Sequence, residues 1–230
     1  MNLSICIPSW NRKQNLLNNL KCLSKQQVQP QHKIEIVIVD HGSTDGTLQA
    51  VMDVIPTMPF PMKIVRIPRT DWDAATPRNY AAKVSDKTFD ALYFLDSDIL
   101  LPPDRIERLI DDYLVDSDPN RVIIGPYHNM TKPVNLDAPW YDEAITDYIK
   151  DVRWAMFEEE GSDVAKTYQG FRYALACFGG SLMVNRSLFF RSGGYDESMV
   201  HGGEDGDYGL TLWECGAKVS MDKGLLCTPC

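Results

Sequence analysis

Four short apolar segments, each ending in polar or turn-forming residues, alternate with stretches of helical spacing over the first hundred residues. Segments 3–8, 34–40, 62–67 and 91–95 lack a clean apolar/polar alternation, which predicts strands covered on both faces, as in a parallel sheet packed between helices. Between them Leu16, Leu17, Leu20 and Leu23 recur at helical spacing, residues 47–54 can form a short helix, and 76–85 carries Pro77 near its start, where a missing N–H costs nothing. The order is β-α-β-α-β-α-β. In such folds ligands sit beyond the carboxyl ends of the strands, which directs attention to 8–12, 40–45 and 96–98. Later, 180–185 and 218–221 predict further strands and 207–215 a helix. Nine of the 23 aromatic residues fall between Tyr127 and Tyr173, a shift that suggests an insertion or subdomain over the sheet.

Composition narrows the class. With 230 residues, 44% hydrophobic and 24% charged, the chain can bury a substantial core and is neither disordered nor low-complexity. No repeat or linker divides it, so one domain is expected. A net charge of −9 argues against nucleic acid or anionic lipid as a broad partner. No apolar run approaches the roughly 20 residues of a membrane span, and the N-terminus lacks a signal-peptide core. The expected location is cytoplasmic, with peripheral membrane attachment as the alternative. Six scattered cysteines predict free thiols, and the three Asn-x-Ser/Thr matches at Asn2, Asn129 and Asn185 carry no weight without secretion.

Chemistry concentrates at three acidic tips. In Asp40-His41-Gly42-Ser43-Thr44-Asp45, Asp40 can accept hydrogen bonds from a nucleobase imide or a ribose hydroxyl, while Asp45 is placed to cap the following helix. In Leu95-Asp96-Ser97-Asp98, two carboxylates flank one small residue, which suits Mg²⁺ or Mn²⁺ shared with substrate phosphates, or simply a turn. In Gly202-Gly203-Glu204-Asp205-Gly206-Asp207, crowded carboxylates repel one another unless a cation or a proton-transfer role uses them. The alternative for Asp207 is an acidic first helical turn complementing the macrodipole. Cys227 and Cys230 lack the second ligand pair of a zinc knuckle. Thr228 and Pro229 do not fit a prenylation box.

Taken in order, these pieces resemble the GT-A glycosyltransferases, most closely family 2: Ile5-Cys6-Ile7-Pro8-Ser9-Trp10-Asn11-Arg12, Ile38-Val39-Asp40 with the turn after it, Pro77-Arg78-Asn79, Phe94-Leu95-Asp96-Ser97-Asp98, Phe178-Gly179-Gly180-Ser181, Gly193-Gly194-Tyr195-Asp196-Glu197 and Gly202-Gly203-Glu204-Asp205. The last block is similar to that of galactosyl- and N-acetylgalactosaminyltransferases and of chondroitin-type polymerases. The resemblance implies a mostly parallel α/β GT-A sheet flanked by helices, with 1–126 as the nucleotide-binding half and 127–230 as the acceptor and catalytic half, and an inverting, metal-dependent transfer from a UDP-sugar to a hydroxyl of a glycan, lipid or protein. It places Pro8, Asp40, Arg78 and Asp96 at the nucleotide, Asp98 with Asp96 on Mn²⁺ or Mg²⁺, Asp205 as general base and Glu204 beside it on acceptor or sugar. The competing assignment makes Glu204 the base and Asp205 a cap. Family members often carry a metal-binding His near the position of 227–230, where this chain has none. His201 is the candidate in its place, a solvated loop residue the alternative.

Trp140, Tyr141 and Trp154 are candidates for stacking on an acceptor sugar, with ordinary packing as the alternative. Glu158, Glu159 and Glu160 read as a solvated face. The chain stops soon after the expected catalytic helix, so acceptor elements lie outside it or the aromatic stretch supplies them. Two rival classes remain. A sugar-nucleotide pyrophosphorylase would be expected to place a Gly-rich phosphate loop where Pro8-Ser9-Trp10-Asn11 stands, and a catalytically inactive sugar-nucleotide binder would be separated by turnover.

Overall fold

The computed structural model describes residues 1–69, 73–116, 118–125, 128–133, 135–137, 140–143, 148–149, 171–200, 202–222 and 227–228. Its elements run β1 (Asn2–Ser9), α1 (Lys13–Ser24), β2 (Lys33–His41), α2 (Thr47–Val54), β3 (Met62–Ile67), α3 (Ala75–Val84), β4 (Ala91–Leu95), α4 (Arg105–Val115), β5 (Arg121–Ile124), β6 (His128–Met130), α5 (Trp140–Glu143), β7 (Tyr148–Ile149), α6 (Phe171–Ala174), β8 (Ser181–Asn185), α7 (Arg186–Ser192), α8 (Glu204–Glu214), β9 (Lys218–Met221) and β10 (Cys227–Thr228). Seven strands form one sheet in the order β3-β2-β1-β4-β8-β5-β9. The pairs β3-β2, β2-β1, β1-β4 and β5-β9 are parallel, whereas β8 runs antiparallel to both β4 and β5. A mostly parallel α/β sheet is therefore the architecture, as expected, with one reversed strand at its centre.

Period-two geometry explains why the apolar segments carried no polar alternation. Leu3, Ile5 and Ile7 of β1, Ile36 and Ile38 of β2, and Tyr93 and Leu95 of β4 face one core with Leu16, Leu20 and Leu23 of α1 and Ile106, Leu109 and Ile110 of α4. Cys6, Val37, Val39, Leu92 and Phe94 face the other, against Ala81 and Ala82 of α3, Phe189 of α7 and Tyr208 and Leu212 of α8. Both faces are apolar because both are covered.

Local chemistry sets several boundaries. Asp45 Oδ1 accepts the Thr47 N–H at 3.0 Å at the start of α2, and its Oδ2 accepts the Lys13 N–H at 3.0 Å at the start of α1. One carboxylate thus caps two helices. Asn11, whose φ of 48° is positive, accepts the Thr44 N–H at 2.8 Å through its side chain and donates its own N–H to Ser43 Oγ at 2.9 Å. The loop after β1 is thereby stapled to the turn after β2.

The helix expected over 207–215 begins three residues earlier, at Glu204. Gly203, at φ 96°, turns the chain directly into α8, so Glu204 and Asp205 lie in the first helical turn rather than in a loop. Pro77 is the third residue of α3, within its first turn.

Strands from both halves of the sequence share the main sheet, and a second sheet of three strands has the order β10-β6-β7. Of the aromatic stretch, Tyr127, Trp154, Phe157 and Tyr168 lie outside the described residues, as do Glu158, Glu159 and Glu160. Among the described residues no helix is long and apolar enough to cross a membrane.

Candidate active site

The carboxyl ends of β1, β2, β3 and β4 open onto a solvent-continuous cleft lined by Pro8, Trp10, Arg12, His41, Arg69, Asp73, Pro77, Arg78, Asp96 and Asp98 among others. That is the location the topological rule for open α/β sheets requires.

Arg78, from the first turns of α3, is the organising side chain. It is 3% exposed, and its Nη2 donates to Asp96 Oδ1 at 3.0 Å while its Nη1 donates to Glu204 Oε1 at 2.9 Å and Asp205 Oδ1 at 3.2 Å. Burial disfavours its charge, but Asp96, Asp205 and Glu204 outweigh that and hold it protonated well above the ordinary arginine range. The guanidinium also lies 5.4 Å from the Tyr195 ring centroid. Tyr195 is held in turn by Asn79, which accepts the Tyr195 N–H at 2.9 Å and donates to its carbonyl at 2.8 Å. The sequence blocks Pro77-Arg78-Asn79 and Gly193-Gly194-Tyr195 therefore meet as one unit.

Three carboxylates around one guanidinium leave uncompensated negative charge. Burial raises the Asp205 carboxyl, Arg78 opposes that, and Glu204 and Asp96 add to it, so that its pKa is pushed from 3.8 up to about 6. This happens even though the N-terminus of α8 favours the anion. Gly179 explains how the pair comes so close: a Cβ there would stand 2.6 Å from Asp205 Oδ1 and 2.7 Å from Arg78 Cζ. On the other side of Asp96, the Asp98 carboxyl is raised by burial and by Asp96, with Arg12, 3.9 Å away, opposing.

The structure joins Pro8, Arg78, Asp96 and Asp98 along the cleft and ties Glu204 and Asp205 to it through Arg78. Asp40 lies behind the lining. Its carboxylate is fully buried, accepting the Ser43 N–H at 3.0 Å with Arg66 Nε 3.6 Å away, so it shapes the turn and does not open to the cleft as the sequence reading expected. Trp140 and Tyr141 are not brought to this cleft either. Trp140 is 5% exposed in the core that α1 and α4 share, and both rings line a separate cavity with Cys22, Lys25, Leu101, Pro103, Leu136 and Asp137. Trp154 and His201 lie outside the described residues.

Sequence reasoning missed His41, Arg69 and Asp73, and gave Arg12 and Trp10 no role. Arg12, His41 and Arg69 all stand at or just beyond the ends of parallel strands, which is the signal that could have found them. The Arg69 guanidinium stacks 3.6 Å over the Trp10 ring, forming a planar wall.

Among the described residues no group of three or more His, Cys, Asp or Glu converges where it could hold a metal ion. The pair Asp96 and Asp98 nonetheless offers hard oxygen donors of the kind that bind a divalent cation together with phosphate and water.

The model of glycosyl transferase family 2 matches residues 4–189. The chain belongs to that family. It is 24% identical, over 98% of its length, to an uncharacterized glycosyltransferase, YfnE, of Bacillus subtilis (strain 168), and 26% identical, over 97%, to a chondroitin synthase of Escherichia coli. It spans 64% and 34% of those two proteins respectively. Among solved structures it resembles S. aureus TarS 1-349 in complex with UDP-GlcNAc, with a TM-score of 0.74 at 17% identity over 99% of this chain and 58% of that one. It also resembles GalNAc-T7 with UDP, GalNAc and Mn²⁺, with a TM-score of 0.72 at 17% identity over 99% of this chain and 44% of that one. The fold of this family 2 chain is that of the GT-A neighbours.

Proposed function

We propose that this chain transfers a sugar from a UDP-sugar to a hydroxyl of a glycan, lipid or protein acceptor, with inversion at the anomeric carbon and with a divalent cation. The observation that carries the reading is the Asp205 carboxyl, which burial, against the opposing Arg78 and with Glu204 and Asp96 beside it, raises to a pKa of about 6, and which Arg78 ties to the cleft. A carboxylate of that basicity can take a proton near neutral pH. The UDP and UDP-GlcNAc in neighbouring structures and the names of the relatives support the donor class.

Asp205 removes the proton of the acceptor hydroxyl as its oxygen attacks the anomeric carbon from the face opposite the diphosphate. A single displacement of this kind needs no enzyme nucleophile. Glu204, more buried than Asp205 and bonded to the same guanidinium nitrogen, holds Arg78 in place. Arg78 keeps Asp205 from binding its proton too tightly and sets its direction. Asp98 and Asp96 would hold Mn²⁺ or Mg²⁺, which would supply positive charge for the leaving diphosphate. The fit rests on Asp98, whose carboxyl is raised by burial and by Asp96, a cost that a cation would relieve. Arg12, at the same end of the cleft, adds positive charge toward the phosphates.

The test is turnover of UDP-sugars with Mn²⁺, monitored as UDP release with and without carbohydrate acceptors, for the wild type and Asp205→Asn. Transfer that survives unchanged in the variant overturns the base assignment. Wild-type binding of UDP without any turnover points instead to a binding protein.

A further inference from the structure

The block Gly193-Gly194-Tyr195-Asp196-Glu197 has no part in the transfer as proposed so far. It is built around Asn79, the residue that follows Arg78 in α3. Asn79 Oδ1 accepts the Tyr195 N–H at 2.9 Å, and its Nδ2 donates to the Tyr195 carbonyl at 2.8 Å and to Glu197 Oε1 at 2.9 Å. Both amide hydrogens are engaged, which leaves the Asn79 side chain one orientation. Gly194, at φ 76°, makes room for this, since a Cβ there would stand 2.7 Å from Asn79 Oδ1.

What the clamp holds is the Tyr195 ring. It is 2% exposed, lies 4.1 Å from the Tyr208 ring and meets Phe94 edge-on at 5.4 Å. Arg78 Cζ stands over it, 5.4 Å from the centroid, within the range at which a cation is drawn to an aromatic face. The hydroxyl is buried with no hydrogen-bond partner. Burial, with Arg78 opposing, holds the phenol well above the ordinary tyrosine range, so it keeps its proton and cannot act as a second base. Among the described residues that line the cleft Arg78 is present and Tyr195 is not. The ring therefore reaches the reaction only through the guanidinium.

We propose that Tyr195 is a positioning residue whose ring fixes the plane of the Arg78 guanidinium, and through it the direction of Asp205, while Asn79 and Glu197 hold the ring in place. This deepens the proposed function and rests on its assignment of Asp205 as base. Asp96, Glu204 and Asp205 pull on Arg78 from different parts of the fold, and an aromatic face restrains the cation without adding a charge of its own. The charged groups that face Asp205 are Arg78 from α3, Glu204 from α8 and Asp96 at the end of β4, and of these only Arg78 lowers its pKa. A guanidinium released from the ring lets that pKa rise.

The test is kcat/KM against pH for wild type, Tyr195→Phe and Tyr195→Leu with a UDP-sugar that wild type turns over, with the calorimetric stoichiometry of UDP and the melting temperature recorded for each. Tyr195→Phe should reproduce the wild-type rate and pH midpoint and melt no lower, because it discards only an unpartnered hydroxyl. Tyr195→Leu should bind UDP at wild-type stoichiometry, turn over about tenfold more slowly, and show its midpoint at higher pH. A wild-type rate and midpoint in Tyr195→Leu overturn the proposal. So does a midpoint that moves as far in Tyr195→Phe, which would give the role to the hydroxyl, and so does a lower melting temperature with the midpoint unmoved, which would leave the ring a packing role alone. If Tyr195→Leu does not fold, Asn79→Ala, which frees the Tyr195 backbone, must move the midpoint in the same direction, and an unmoved midpoint overturns the proposal. Absence of turnover in wild type rejects the function reading and this role with it, a result distinct from all of these.

Discussion

Asp205 is where opposing forces leave a measurable trace. Its folded pKa of about 6 exceeds the ordinary 3.8, so the folded chain binds that proton more tightly than the unfolded one. The stability it contributes is complete below about pH 4 and is lost as pH rises toward 6. A base must be ionised, so kcat/KM should climb with pH to a plateau with an apparent pKa near 6. Asp205→Asn should lower kcat by about 10² to 10⁴ and keep UDP affinity, yet melt no lower than wild type at pH 8, because the ionised carboxylate was the costly form. A flat pH profile between 5 and 7, or an unaltered rate in the variant, rejects the assignment. Asp98→Ala should abolish the Mn²⁺ dependence of UDP binding. Asp96→Ala should weaken it less but lower the melting temperature, because Asp96 also holds Arg78. Titrating Mn²⁺ into both variants decides, and an intact Mn²⁺ response in Asp98→Ala refutes the ligand role. The carboxylates could be read from the sequence as acids at strand and helix ends. The shifted pKa could not, since it depends on which charges packing brings together.

At the scale of elements, α8 works only because two glycines let it. Gly203 supplies the left-handed turn that starts the helix at Glu204, and Gly179 leaves the space in which Asp205 and Arg78 meet. Gly179→Ala should force those two apart and cut transfer at least tenfold with a modest loss of melting temperature, since the contacts at 2.6 and 2.7 Å involve side chains that can shift. Wild-type kinetics in Gly179→Ala would show that the pairing is dispensable. Asp45→Ala removes one carboxylate from the starts of α1 and α2 and should cost about 1 to 2 kcal/mol in urea denaturation without changing the pH profile. An unshifted denaturation midpoint would remove its capping role. The cap was legible because Asp45 stands two residues before the helix. The true start of α8 was not, because the apolar periodicity begins only at Tyr208, after the functional turn. α4 carries Ile106, Leu109, Ile110 and Tyr113 on one face, so its helical pattern was present in the sequence although no helix was expected there. β5, with four residues, is too short for its pattern to be separated from a loop.

For the whole molecule, a ligand that spans the tips of several strands should stabilise them together. UDP at 100 times its dissociation constant in Mn²⁺ adds about 2.7 kcal/mol, or roughly 5–10 °C in melting temperature for a domain of this size. No shift at saturating nucleotide would count against the cleft as a nucleotide site. The sequence alone determined the alternation of strands and helices, the two-sided burial of β1, β2 and β4, and the acidic tips. Each follows from backbone periodicity and turn chemistry acting over a few residues. Only the tertiary structure decided that β8 runs antiparallel between β4 and β5, that Asp40 is sealed while His41 faces the cleft, and that Arg78 meets Glu204 across 126 positions of sequence. Burial and charge pairing depend on which distant elements pack together, and no local pattern of residues encodes that.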